Sequence, residues 1–163
     1  MASIIIVEDH SIVREGIRSY LHKTTDHDVV AETGDGLEAL SLVEEHRPDI
    51  AIVDLRLPGL DGLEVIRRIR SDDSVTRIVV LSMHANFAFI MRAFEYGANA
   101  YVLKNSAVEE LSEAIQAALD GRRFVSSQID QDPQKREISD PYDTLTPRER
   151  ETLQLVGEGM TAT

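Results

Sequence analysis

No cysteine occurs anywhere in the 163 residues, which excludes disulfide frameworks and thiolate metal sites and fits a reducing cytoplasm. No apolar run approaches the roughly 18 to 20 residues of a membrane span, and Met1-Ala2-Ser3 enters apolar sequence without a basic leader. Membrane insertion and export are therefore not expected. Positive charge is scarce: 17 Lys and Arg stand against 29 Asp and Glu, and the net charge of −12 argues against general affinity for nucleic acid phosphates. What is present, 42% hydrophobic and 28% charged, is ordinary for a soluble protein, at a length that suits one well-buried domain plus an appendage.

Three segments run apolar and then stop at charge: Ile4-Ile5-Ile6-Val7-Glu8-Asp9, Ile50-Ala51-Ile52-Val53-Asp54 and Tyr101-Val102-Leu103-Lys104. A continuous apolar run bounded by polar residues is the pattern of a strand buried on both faces of a parallel sheet. Open α/β sheets bind ligands at the carboxyl ends of their strands, so three carboxylates and one ammonium are expected in a single crevice. Carboxylates that close repel one another unless protonated or joined by a cation, and the expected cation is a hard one such as Mg²⁺.

Strand and helix patterns alternate along the chain, which points to an α/β fold with helices on both faces of the sheet. Ser11 is placed to cap a first helix through about Lys23, with Val13, Ile17, Tyr20 and Leu21 at helical spacing. A second strand, about Asp28 to Glu32, precedes Gly34-Asp35-Gly36 and a second helix. After Asp54 the turn-rich Leu57-Pro58-Gly59-Leu60-Asp61-Gly62 leads to a third helix marked by Val65, Ile66 and Ile69. Ile78-Val79-Val80-Leu81 is the fourth strand, ending at Ser82. The fourth helix, about Asn86 to Tyr96, stops at Gly97, and a fifth follows Lys104 with Leu111, Ala114, Ile115, Ala118 and Leu119 inward.

From about Phe124 to Asp143 the chain is polar and charged and reads as a linker. Thr146, Pro147 and Glu149 then form a helix start with a capping box, continued by Leu153 and Val156 until Gly157 and Gly159.

The elements Val7-Glu8-Asp9-His10, Val53 through Gly62, Leu81-Ser82-Met83-His84, and Gly97 through Lys104, in that order and at these separations, resemble the receiver domain of a two-component response regulator. The stretch Leu145 to Thr161 resembles the opening of a LuxR-type helix-turn-helix domain, as in the NarL/FixJ subfamily. The resemblance implies a doubly wound, flavodoxin-like fold with five parallel strands in the order 2-1-3-4-5. It divides the chain into a receiver over 1–122, a linker over 123–144 and an incomplete helix-turn-helix segment over 145–163.

By the same resemblance Asp54 accepts a phosphoryl group from a sensor histidine kinase. Mg²⁺ is held by Glu8, Asp9, Asp54 and the backbone carbonyl of Arg56. Ser82 and Lys104 bind the phosphoryl oxygens, and Ser82 with Tyr101 forms the switch. Homodimerisation on phosphorylation is also implied. Asp54 and Lys104 suit these roles chemically, since a carboxylate attacks phosphorus once charge is neutralised and an ammonium pairs with a phosphoryl oxygen. His10 and His84 flank the crevice and are assigned no catalytic role.

The chain reaches Thr163 before further helices complete the module, and residues 145–163 carry Arg148 and Arg150 against Glu149, Glu151 and Glu158. DNA binding is thus expected only of the complete protein, not of this fragment. An alternative from the enzyme class is an Mg²⁺-dependent phosphatase with Asp54 as nucleophile. Such an enzyme wants a general acid two residues on, where Arg56 stands, so an enzyme is not expected. A flavodoxin-like cofactor carrier lacks support too, because Glu8-Asp9-His10 stands where a phosphate-cradling glycine loop would be needed.

Overall fold

The computed structural model describes residues 1–72, 75–127 and 129. Strands β1 (Ser3–Val7), β2 (Asp28–Thr33), β3 (Ile50–Asp54), β4 (Arg77–Ser82), β5 (Ala100–Leu103) and β6 (Phe124–Val125) alternate with helices. The helices are α1 (Ser11–Thr24), α2 (Gly36–His46), α3 (Gly62–Asp72), α4 (Phe87–Tyr96) and α5 (Ala107–Leu119), and a 3-10 turn spans Lys104–Ser106. The sheet order is β2-β1-β3-β4-β5-β6, with every described pairing parallel.

Alternation along the central strands sorts their side chains into two cores. Ile5, Val7, Ala51, Val53, Ile78, Val80 and Tyr101 pack with α2, α3 and α4 on one face. On the other, Ile4, Ile6, Ile50, Ile52, Val79, Leu81 and Val102 pack with Ile17 and Leu21 of α1 and Leu111 and Ile115 of α5. Each such Val, Leu or Ile side chain, fully withdrawn from water, contributes about 1.5 to 3 kcal/mol. Because both faces are covered, β1 and β3 are almost continuously apolar; Glu8 and Asp9 follow the last residue of β1, and Asp54 is the last residue of β3, opposite Leu81 of β4.

Two departures from the sequence reading stand out. Ser11 is the first helical residue and not the cap: His10 occupies that position in extended conformation, without a side-chain cap bond, because its imidazole turns back toward Glu8 and Asp9. The sheet also has a sixth strand, drawn from the stretch read as linker. Phe124 N–H donates to the Asn99 carbonyl at 3.3 Å and Ser126 N–H to the Tyr101 carbonyl at 2.9 Å, and Ile129 is buried in the core. A two-residue strand has no periodicity to detect; it forms because the edge of β5 offers unpaired backbone groups. The helix start at Thr146 to Glu149 lies outside the described residues, as does the linker beyond Ile129.

Close backbone contacts fix the loop after Asp54. A Cβ at Gly62 would lie 2.3 Å from the Asp54 carbonyl oxygen, and one at Gly36 would lie 2.3 Å from that of Leu60. The N-termini of α2 and α3 thus clamp residues 55–61 directly against backbone, which holds Asp54 at a defined place on the sheet edge.

Candidate functional site

Adjacent strands β1 and β3 are in register with Val7 opposite Val53, so the residues after them emerge side by side. Glu8 and Asp54 are buried there, 1% and 4% exposed, and Asp9 is partly exposed. The 3-10 turn after β5 swings Lys104 back over the edge, placing its Nζ 2.8 Å from Glu8 Oε2 and 3.0 Å from Asp54 Oδ2. Arg56 N–H donates to Asp54 Oδ1 at 3.2 Å. Glu8, Asp9 and Asp54 therefore meet at the place where Lys104 arrives, as the strand-end pattern requires.

Electrostatics within the cluster are unequal. Burial, and then the Glu8 charge, push Asp54 up to about 6 against the pull of Lys104. Burial works to raise Glu8 as well, but its contacts with Lys104 and His10 hold it below the usual carboxylate range. Burial alone would lower Lys104; the two carboxylates reverse that and keep it firmly charged. One ammonium shared between two buried carboxylates leaves Asp54 under-compensated.

Ligand atoms of Glu8, Asp9, His10 and Asp54 all lie within 4.8 Å of one another. Glu8 Oε2 is fully buried and, despite the nearby ammonium, makes no well-directed hydrogen bond. Converging carboxylate oxygens, sharing a single ammonium, fit a hard divalent cation that keeps part of its water shell. His10 Nδ1 reaches Glu8 at 3.0 Å and Asp9 at 3.1 Å. That hydrogen bond to Glu8, followed by the Asp9 charge, raises the imidazole pKa.

Ser82 ends β4 with 1% exposure, and its Oγ accepts from His84 N–H at 3.0 Å. The His84 carbonyl in turn accepts from the Tyr101 hydroxyl at 2.7 Å. Tyr101 is completely buried, facing the α3 and α4 side of the sheet, and burial raises its pKa. Ser82 and Tyr101 are thus linked through the backbone of His84, whose imidazole stacks on Phe89 with centroids 4.9 Å apart and accepts from Arg56 Nε at 3.0 Å. Neither this carbonyl bridge nor the Lys104–Glu8 pair is legible in the sequence, because a backbone acceptor has no residue-type signature and the lysine's partners depend on the turn after β5.

Replacing Tyr101 by phenylalanine keeps the buried ring and removes only the hydroxyl. Urea denaturation is expected to register a loss of about 0.5 to 1.5 kcal/mol, the usual net worth of one hydrogen bond. No loss would mean that water satisfies the His84 carbonyl equally well.

A doubly wound parallel sheet whose order reverses beside an acidic pocket, with a lysine returning over that pocket, defines a receiver-type signalling domain. The family model of the response regulator receiver domain matches residues 4–116, and the chain belongs to that family: it is a response regulator of the NarL/FixJ kind. It is 32% identical over 161 residues to the nitrate/nitrite response regulator protein NarP of Escherichia coli K12, covering 96% of this chain and 75% of NarP. A LuxR-family two-component response regulator from Aurantimonas sp. SI85-9A1 superposes with a TM-score of 0.76 at 46% identity, covering 79% of this chain and 92% of that one. The isolated receiver of RcsB from Salmonella enterica serovar Typhimurium, solved with the phosphomimetic BeF₃⁻, superposes with a TM-score of 0.73 at 29% identity over 78% of this chain and 95% of that one. Among the described residues no helix is long and apolar enough to cross a membrane.

Proposed function

We propose that Asp54 is the phosphoryl acceptor and that a histidine kinase supplies the group. The reading rests above all on one juxtaposition: buried Asp54, 3.0 Å from Lys104 Nζ, inside a cluster of three carboxylates. An oxygen of Asp54 attacks phosphorus as the bond from phosphorus to the donor's leaving atom breaks, leaving an acyl phosphate on Asp54. Lys104 then pairs with a phosphoryl oxygen, and the Ser82 hydroxyl turns to donate to another. Glu8, Asp9, Asp54 and the Arg56 carbonyl would hold Mg²⁺, which when bound neutralises charge on the incoming phosphoryl oxygens.

Reorientation of Ser82 withdraws the acceptor of the His84 N–H, and the His84 carbonyl is the seat of the Tyr101 hydroxyl. Serine, loop and tyrosine would therefore move together, giving phosphorylation two packed arrangements to select between. In this reading the receiver, residues 1–122 with the added strand β6, is joined through a linker reaching residue 144 to the helix-turn-helix segment at 145–163. Its output would be transcriptional control through DNA, with dimerisation on phosphorylation, and the protein would act in the cytoplasm and not as an enzyme.

Incubation with Mg²⁺ and a small phosphodonor, followed by intact-mass measurement, is expected to give one acid-labile phosphoryl group per chain and none without Mg²⁺. Continuous consumption of donor without a bound group would favour the phosphatase alternative. Asp9→Ala should weaken Mg²⁺ binding by at least roughly tenfold in calorimetric titration, since even outer-shell changes cost that much. Unchanged affinity would move the metal site elsewhere.

A further inference from the structure

The ladder between β1 and β2 ends at Val7 opposite Thr33, and Glu8 N–H still finds the Thr33 carbonyl at 2.9 Å. The Glu8 carbonyl lies beyond the ladder. Arg14 Nη1 donates to it at 2.7 Å. The backbone N–H of the same residue donates to the His10 carbonyl at 2.9 Å as part of the first turn of α1. Arg14 therefore holds both ends of the three-residue loop Glu8-Asp9-His10, with Asp9 between the two tethered carbonyls.

Further contacts set the guanidinium in place. Arg14 Nε lies 3.8 Å from Glu32 Oε1 on β2, with the arginine side chain 24% exposed. Gly34 leaves room beside it: a Cβ there would stand 3.1 Å from Asp9 Cα and 3.3 Å from Arg14 Nη1. A buried carbonyl left without a donor would draw the loop toward water, and Glu8 and Asp9 would move with it.

We infer that Arg14 is a positioning residue for the cation site: it acts through the Glu8 carbonyl to hold Glu8 and Asp9 in ligating geometry, touching neither the metal nor the phosphoryl group. The inference rests on the proposed reading of those carboxylates as metal ligands. An arginine that merely joined α1 to β2 would affect stability alone. One that positions the acid pair affects the Mg²⁺ concentration needed for reaction.

The test is a calorimetric Mg²⁺ titration of the full chain as wild type, Arg14→Ala and Arg14→Lys, paired with phosphorylation rates across a Mg²⁺ series. Arg14→Ala should raise the Mg²⁺ dissociation constant, and the half-saturating Mg²⁺ concentration, by roughly 10- to 100-fold, the usual effect of losing an outer-shell partner. The rate at saturating Mg²⁺ should stay within about twofold of wild type, because the loop is restored once the cation binds. Arg14→Lys, which keeps a cationic donor, should recover part of the affinity and covers the case in which the alanine variant fails to fold. Wild-type binding with unchanged affinity in both variants, or a loss of stability alone, would overturn the inference while leaving the site reading intact. Absence of Mg²⁺ binding by the wild type would overturn the site reading and this inference with it.

Discussion

Asp54→Asn is expected to abolish phosphoryl uptake and at the same time to make the protein more stable at alkaline pH. Loss of uptake follows because the amide keeps the shape of the side chain and discards the anionic nucleophile. The gain in stability follows from the position of Asp54, buried beside Glu8 and pushed up to about 6. An acid whose folded pKa lies above its unfolded value favours folding only while protonated. That contribution is complete below about pH 4 and is lost as pH rises through about 6. Above that range the ionised carboxylate costs the fold roughly 1 to 3 kcal/mol, which the neutral amide does not incur. Urea denaturation should find Asp54→Asn more stable than wild type at about pH 8, with the gap narrowing below about pH 6 and closing toward about pH 4. Equal stability at both pH values would mean that Lys104 compensates Asp54 fully, and labelling at full stoichiometry would place the acceptor elsewhere.

Lys104→Met should have the opposite effect on stability. Methionine preserves much of the chain's volume but removes the cation that lies within 3.0 Å of both Glu8 and Asp54. Breaking a buried ion pair from one side costs about 3 to 5 kcal/mol, and because Lys104 is partly exposed the loss here should be roughly 2 to 4 kcal/mol at about pH 8. Without the lysine the folded-state pKa values of both acids rise, so the deficit should shrink as pH falls and the carboxylates take up protons. Saturating Mg²⁺ should recover part of it by supplying the missing positive charge. Phosphoryl uptake should be slowed, because the charge that receives the incoming group is gone. A deficit indifferent to both pH and Mg²⁺ would show that packing, and not charge, is what Lys104 contributes.

These two residues also show why the site is legible in the sequence. Runs such as Ile50-Ala51-Ile52-Val53-Asp54 and Tyr101-Val102-Leu103-Lys104 are apolar where both faces are covered, so the change to charge marks the carboxyl end of the strand. Parallel pairing brings those endpoints together, as the registers of β1 with β3 and β4 with β5 bear out. Contacts that depend on backbone atoms or on the path of a turn left no such mark. The His84 carbonyl that seats Tyr101, the Glu8 carbonyl that binds Arg14 and the pairing of β6 are of this kind. Ser126 belongs with them: it is wholly buried and its Oγ accepts from Leu103 N–H at 2.9 Å, although it sits in sequence that looks like linker. Ser11 is a good capping residue by type, but His10 takes the position because its ring is drawn to the acidic pair.

Locating the phosphoryl group tests most directly whether Asp54 is the acceptor. The chain is phosphorylated with a small donor and Mg²⁺, the acyl phosphate is reduced with borohydride, and the modified residue is identified by peptide mass analysis. Reductive conversion of Asp54 alone is expected, dependent on both donor and Mg²⁺. Modification at Glu8, Asp9 or any residue other than Asp54, or stable phosphate on a serine or histidine in its place, would contradict the assignment of Asp54.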